Sequence, residues 1–478
     1  MRKTKIVATL GPATDSADVI RGMLAAGLDV ARFNFSHGSH EEHKARVTLL
    51  RSICEETGST VALLADTKGP EIRLGTFEGG TAELSAGGIF TLTSDNIIGN
   101  STRASVTYIG LPAEVHSGTR ILLDDGLIEL VVESTSGVNI VTRVINGGKL
   151  SDRKSVNVPG VSLDMPYTCA KDRLDLRFVV ENEFDFVAAS FVRSERDVNE
   201  MRDELFRIDS KNKIKIIAKI ENAEGVYNAE SILSACDGMM VARGDLGVEV
   251  EYEELPIIQK DLIKRTLHHS KPVITATQML ESMINNPRPT RAETSDVANA
   301  IYDGTSAIML SGETAVGKFP VEALSAMAKI AERIEKSIDY QKRFQQVDYN
   351  SETSITNAIS HATVTTAHDL RAEAILTVSM SGYTAQNVTK YRPTCPIIAC
   401  TPNPIVQRQL LLNWGVIPLL TRREKDTAAL FNSAVDTAKE AGILHEGELV
   451  VLTAGVPVGQ SGNTNLLKVH VVGEKILV

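Results

Sequence analysis

The sequence predicts an α/β protein in which parallel strands alternate with helices, a small β unit interrupts the alternation, and a second α/β unit follows. The first observation is the alternation itself. Short apolar, β-branched runs at 4–10, 29–35, 61–67, 186–191, 215–220, 238–244, 272–277 and 306–311 are separated by amphipathic stretches such as 40–57, 194–209, 223–235 and 254–270. Strands that all run one way need a crossover, and a helix supplies it. The second observation is a break in that rhythm. From about 70 to 166 the helical period vanishes, and short alternating runs (89–93, 120–122, 127–132, 138–144) sit between turns such as Asp125-Gly126 and Asn146-Gly147-Gly148. This reads as a small antiparallel β unit inserted after the third strand. The third is a polar, linker-like stretch after about 343. Beyond it come a helix at about 352–368 and strand runs at 374–378, 397–401, 416–420, 449–453 and 468–472. Three domains are therefore expected: 1–69 with 167–343, 70–166, and 344–478. Alternation alone fits both a closed (β/α)8 barrel and an open doubly wound sheet.

Length and composition agree. A chain of 478 residues exceeds one domain. A net charge of −10 disfavours nucleic acid or an anionic membrane as the main partner. With only 5% aromatic residues and a single tryptophan, Trp414, no stacking platform for bases is expected. The five cysteines (Cys54, Cys169, Cys236, Cys395, Cys400) are scattered without a CxxC pair, as expected of reduced thiols in a cytosol. The start, MRKTKIVATLG, runs directly into a strand-like segment and leaves no apolar core for a signal peptide. No apolar run suits a bilayer span. A soluble cytoplasmic protein is expected.

An acidic protein that binds anions must gather its cations locally, and in a barrel the functional groups collect at the C-terminal strand ends. Those ends are charged here: Arg32-Phe-Asn34-Phe-Ser36-His37-Gly38, Asp66-Thr67-Lys68-Gly69-Pro70-Glu71-Ile-Arg73, Lys219-Ile-Glu221-Asn222, Arg243-Gly244-Asp245-Leu-Gly247, Thr277-Gln278 and Ser311-Gly-Glu313-Thr314. Lys219 and Glu221 alternate on one strand and so face one side. Asp245 ends the next strand, where two carboxylates can share a magnesium ion rather than zinc, since no His/Cys cluster competes. A structural Lys219–Glu221 ion pair is the plainer reading of that pair in isolation. Gly244 and Gly247 stand where a helix begins, so their amides could cradle a substrate carboxylate, although glycine after a strand more often only turns the chain. Arg32 and Arg73 offer guanidinium forks for phosphoryl oxygens, against the commoner role of surface solvation. Asn34, Ser36, Asp66 and Thr67 offer many oxygens with one formal charge, which suits a monovalent cation as well as ordinary turns. Thr277 and Ser311 could order water for proton transfer. His37 and His43 read as structural.

In order along the chain, RFNFSHG (32–38), DTKGPEIR (66–73), IKIIAKIENAEGV (214–226), MVARGDLGVE (240–249), TATQMLESM (275–283), NPRPTRAE (286–293) and MLSGETA (309–315) resemble the pyruvate kinase family, and the resemblance covers the whole chain. It implies a closed TIM barrel, an inserted β-barrel lid and a C-terminal α/β regulatory domain, normally in a homotetramer of the bacterial type without an extra C-terminal domain. It implies phosphoryl transfer from phosphoenolpyruvate to ADP, giving pyruvate and ATP. Lys219 would contact the phosphoryl group in transit and Arg32 would grip it. Glu221 and Asp245 would hold magnesium, with manganese as a substitute. Gly244, Asp245 and Thr277 would orient the substrate carboxylate. Asn34, Ser36, Asp66 and Thr67 would hold potassium, and Glu71 matches potassium-dependent members. Asn34, His37, Arg73 and Lys154 would face the nucleotide, and Thr277 with Ser311 would order the protonating water.

The resemblance departs at Ser155, where glycine is frequent, and at Val250-Glu251, where Ile-Pro is common. The loop TVSMSGYT (377–384) resembles a phosphate-binding effector loop through Ser379, Ser381, Gly382 and Thr384, with Met380 where some members carry a base. The final loop at 456–465 is similar to an activator pocket for a phosphorylated sugar or nucleotide. Two other functions compete: an aldolase or lyase using Lys219 as a Schiff base, and a ligand sensor without catalysis, for which two metal carboxylates have no use.

Overall fold

The computed structural model describes residues 1–346, 354–457 and 462–476. Most of the expected linker, the expected helix start at 352 and part of the final loop (458–461) lie outside the described residues.

Eight parallel strands, Lys5–Thr9, Val30–Asn34, Ala62–Asp66, Phe186–Ala189, Lys215–Ile220, Gly238–Ala242, Val273–Ala276 and Ala307–Leu310, close into a barrel, each pairing with its sequence neighbours and the eighth with the first. Closure decides against the open sheet. The strands are buried on both faces and so read as continuous apolar runs, KIVAT being buried at all five positions. Val7, Val30, Leu64, Phe186, Ile217, Met240, Ile274 and Met309 fill the interior. Leu411 and Leu412, from the C-terminal part of the chain, belong to the same cluster and plug the barrel's N-terminal mouth. Around that mouth Lys5 Nζ donates to the Val416 carbonyl (2.8 Å), and Arg408 pairs with the buried Asp185 (2.8 Å). The opposite mouth is left for chemistry.

The crossover helices start and stop where local chemistry dictates. Helix His40–Thr57 begins on a Ser39/Glu42 capping box and ends at Gly58, whose φ of 68° lies in the left-handed region. Helix Arg291–Asp303 repeats the device with Thr290, Glu293 and Gly304. The helix expected over 223–235 is instead two, Ala223–Tyr227 and Ala229–Ala235, broken at Asn228. Its side-chain amide donates to the Arg193 carbonyl (2.8 Å), the kind of outside bond with which asparagine competes against helix.

The inserted segment forms a seven-stranded sheet and a two-stranded ribbon. One pair, Ile89–Thr93 with Arg103–Ser105, is parallel, which corrects the all-antiparallel expectation. The connection between them, residues 94–102, is long enough to bring the chain back in the same direction. The outer strands meet through the Leu74–Val106 bridge, with Gly75 N donating to Ser105 O and Thr107 N to Arg73 O, so the sheet curls shut around Phe90, Leu92, Ile121, Leu130 and Ile140. The C-terminal sheet runs Val416–Leu420, Ile397–Thr401, Ala374–Val378, Leu449–Ala454, Leu466–Val471, with the last strand antiparallel and helices on both faces. Among the described residues no helix is long and apolar enough to cross a membrane, and all five cysteines are free.

Candidate active site

At the open mouth the ends of the second to fifth strands build one buried charge cluster. Lys219 sits next to last on its strand and is only 8% exposed. Its ammonium has three N–H donors, and three acceptors meet it: Asp66 Oδ1 at 2.9 Å, Ser190 Oγ at 2.7 Å and Glu221 Oε1 at 2.8 Å. Burial works to strip its proton, but Asp66 and Glu221 hold its pKa well above that of an ordinary lysine. Asp66 also accepts Arg32 Nε (2.7 Å), while the Arg32 terminal nitrogen bonds Thr9 Oγ1 (2.8 Å). Burial opposes the Asp66 charge, yet Arg32 and Lys219 outweigh it and keep the carboxyl below its usual range.

Glu221 accepts the Phe191 amide on its other oxygen (2.6 Å). Burial pushes its carboxyl up to about 7, with Lys219 pulling it down and the like charge of Asp245 adding to the rise. Asp245 is raised as well, chiefly by burial. A buried and a half-buried carboxyl close enough to feel each other, beside one ammonium, make a site that a divalent cation would relieve. Asp245 lies in the first turn of helix Arg243–Glu249. The Gly244 amide there donates to Thr277 Oγ1 (2.9 Å), so it is engaged by the neighbouring strand end rather than free. Thr277 has φ of 68°, a costly conformation for a β-branched residue, and Arg243 holds its carbonyl at 2.6 Å. Ser311 Oγ is buried with no hydrogen-bond partner among the described residues, while its amide is fixed by Glu313 (2.7 Å).

The other expected residues divide. Asn34 and Asp66 are register partners on adjacent strands, and Thr67 follows, with its hydroxyl turned to the Ala188 carbonyl (3.3 Å). Asn34 Oδ1 accepts the Ser36 amide (3.1 Å), Ser36 is exposed, and Thr67 is buried. A cleft of about 360 Å³ opens between lid and barrel rim, with Glu71, Arg73, Asp125, Ser155, Glu224 and Asp245 among its walls. Arg73 is braced by Glu71 (2.7 Å), which Lys68 also meets (3.0 Å). Ser155 bonds Asp125 (2.7 Å). His37 is exposed, and its carbonyl meets His43 Nε2 (2.9 Å) beneath the strand end, where His43 packs on Phe35. Lys154 pairs with Asp124 within the lid (2.7 Å) and does not line the cleft.

The model of the pyruvate kinase barrel domain matches residues 1–324, and that of the pyruvate kinase alpha/beta domain matches 357–470. The chain belongs to the pyruvate kinase family. It is 51% identical over 475 residues to the pyruvate kinase of Geobacillus stearothermophilus, covering 99% of this chain and 81% of that one. To the Clostridium acetobutylicum pyruvate kinase it is 46% identical, with 99% and 100% covered. The crystal structure of a pyruvate kinase from Cryptosporidium parvum superposes with a TM-score of 0.92 at 39% identity, covering 98% of this chain and 96% of that one. Membership of the pyruvate kinase family makes the chain a phosphotransferase and is consistent with a metal cofactor.

A second pocket, of about 420 Å³, lies in the C-terminal sheet unit. Ser379 Oγ accepts the Ser381 and Gly382 amides (3.3 and 3.1 Å), Gly382 turns at φ of 79°, and Thr384 Oγ1 meets Thr464 Oγ1 at 2.9 Å. Of the expected loop, Ser379 and Thr384 line the pocket together with Met380, while Ser381 and Gly382 do not. The sequence reading missed Arg422, Arg423 and Lys425, which line the same pocket. Their only sequence signal is a short basic run after a strand, which is usually a solvated turn. It also missed Ser190, which follows the fourth strand without a charged neighbour.

Proposed function

We propose that this chain transfers the phosphoryl group of phosphoenolpyruvate to ADP at the open mouth of the barrel. The single observation behind this reading is the buried Arg32–Asp66–Lys219–Glu221 cluster beside Asp245. Two cations there, at one end of a row of carboxylates, suit a phosphoryl group with a metal bound next to it. The residues present fit a divalent metal on Glu221 and Asp245, and magnesium or manganese would supply charge neutralisation between phosphoryl and carboxylate oxygens. Potassium would be held by Asn34, Ser36, Asp66 and Thr67.

Arg32 fixes the departing phosphoryl oxygens, because Asp66 and Thr9 already hold its plane. Lys219 lies beside it and stabilises charge both on the group in transit and on the enolate left behind. Thr277 and the first turn at Gly244 and Asp245 orient the substrate carboxylate, which takes the Gly244 amide over from Thr277 Oγ1. The enolate then takes a proton at its methylene carbon from water ordered by Thr277 and Ser311, whose hydroxyl is available for that bond. Asn34, His37, Arg73 and Lys154 face the nucleotide once the 70–166 unit closes over the cleft and excludes water. The division into 1–69 with 167–343, 70–166 and 344–478 belongs to the same reading. A Schiff-base aldolase fits less well, since its lysine must be neutral to attack a carbonyl, and Asp66 and Glu221 keep Lys219 charged.

A phosphorylated sugar or nucleotide activates the enzyme by binding between the Ser379–Thr384 loop and the basic run at Arg422, Arg423 and Lys425. The Ser379 and Thr384 hydroxyls on one wall, with guanidinium and ammonium groups on the other, are the chemistry of a phosphate site. The assembly is a homotetramer.

Lys219→Met should lower pyruvate formation from phosphoenolpyruvate and ADP by about three or more orders of magnitude with phosphoenolpyruvate KM nearly unchanged; comparable turnover would remove the lysine from the mechanism. Glu221→Ala should abolish the magnesium response, and exchanging potassium for a bulky organic cation should cut the rate sharply. A normal magnesium titration or indifference to the exchange would refute the respective sites. Sugar phosphates and AMP, tested one by one, should include one that lowers the phosphoenolpyruvate KM, and Arg422→Ala should weaken that response at least about tenfold; no response from any phosphate would discard the effector site. Light scattering should return four times the chain mass, and a monomer or dimer would overturn the assembly.

A further inference from the structure

The fourth strand, Phe186–Ala189, ends in an ordinary-looking sequence, Ser190-Phe-Val-Arg193, yet the turn it makes touches both the charge cluster and the lid. Ser190 is 1% exposed. Its hydroxyl accepts from Lys219 Nζ (2.7 Å) and donates toward the Thr67 carbonyl (2.6 Å), with Asp66 Oδ1 at 3.1 Å. A hydroxyl has one proton, so Thr67 and Asp66 compete for it while the lone pair facing Lys219 is fixed. Phe191 stands at φ of 54°, in the left-handed region that a bulky residue enters only under strain. Its amide is aimed at Glu221 by that conformation.

The same turn holds the segment by which the chain returns from the lid. The Ser190 carbonyl accepts Tyr167 Oη (2.9 Å), and Tyr167 is buried. Arg193 donates to the carbonyls of Leu163 (2.8 Å) and Met165 (2.9 Å), with Asp197 locking its guanidinium. Gly69, where the chain leaves for the lid, packs so closely that a Cβ there would lie 2.8 Å from the Ser190 oxygen. Both connections to the lid therefore press on Ser190.

We propose that Ser190 is a positioning residue for phosphoryl transfer: its hydroxyl aims the Lys219 ammonium, and its carbonyl ties that aim to the lid's return segment through Tyr167. The assignment rests on the role given to Lys219 above. Lys219 has no spare donor, so the angle at which it meets an incoming phosphoryl oxygen is set by its three acceptors. Ser190 is the neutral one among them.

The test measures kcat and the phosphoenolpyruvate KM of the full-length enzyme carrying Ser190→Ala, Tyr167→Phe, Lys219→Met, or Ser190→Ala with Lys219→Met. Ser190→Ala should lower kcat about ten- to hundredfold, as misaimed catalytic groups do, while KM moves less than about threefold. Tyr167→Phe keeps the hydroxyl–lysine bond and should lower kcat by about threefold in the same sense. Adding Ser190→Ala to Lys219→Met should cost no further rate, because the hydroxyl acts only through the ammonium. Wild-type kcat in a folded Ser190→Ala enzyme, or an additive loss in the double variant, would overturn the proposal. If Lys219→Met keeps full turnover, the role of the lysine falls and takes this proposal with it; if Lys219→Met is crippled while Ser190→Ala is not, only the serine assignment fails.

Discussion

Burying the Lys219 ammonium obliges the barrel to bring three acceptors to one point, and the geometry of the mouth follows from that obligation. Removing one partner of a buried ion pair costs about 3–5 kcal/mol, because the survivor keeps its charge without compensation. Asp66, Ser190 and Glu221 come from the ends of three strands and must therefore stay in register. Arg32 and Thr9 extend the same constraint to the second and first strands. A closed sheet meets this demand well, since adjacent strand ends cannot slide independently. The same cluster leaves negative charge in excess at Glu221 and Asp245, which is where a metal is needed.

The rest of the molecule defends that arrangement. Leu411 and Leu412 close the far mouth, and Arg408 with Asp185 fastens the C-terminal unit to the barrel floor. The lid has a core of its own and bonds to the barrel through polar contacts such as Asn157 with Glu249 (3.0 Å) and Arg120 with Glu251 (3.3 Å). The exposed Arg120–Glu251 pair contributes little to stability, whereas the turn at Ser190 couples the lid's return segment to the cluster. Glu251, one of the residues at which the sequence departs from its family's usual pattern, lends the lid one of these contacts.

Most of the fold was legible because strands buried on both faces write their positions as apolar runs. All eight barrel strands and all five C-terminal strands lie where periodicity put them, within about two residues. Periodicity could not choose between closed barrel and open sheet, since both use the same local pattern. Nor could it see the break at Asn228, which depends on a carbonyl from a distant loop. The parallel pair in the lid escaped for a related reason: strand direction is set by a connection's path, and a nine-residue loop carries no period.

Of the site, the charged strand ends were readable one by one, because a charge in a buried strand end is conspicuous. Their meeting was not. That Lys219 is shared among Asp66, Ser190 and Glu221, that Thr277 holds the Gly244 amide, and that Lys154 turns to Asp124 are all outcomes of three-dimensional closure. Ser190 gave no signal and the basic run at 422–425 only a weak one, since a serine after a strand and a basic turn are common on any surface. By itself the sequence determined which segments are strands and helices and which residue types stand at their ends, for local burial and backbone preference act over a few neighbours. Which of those residues touch was decided only by the tertiary structure, because barrel closure sets distances between groups that lie 29 to 153 positions apart along the chain.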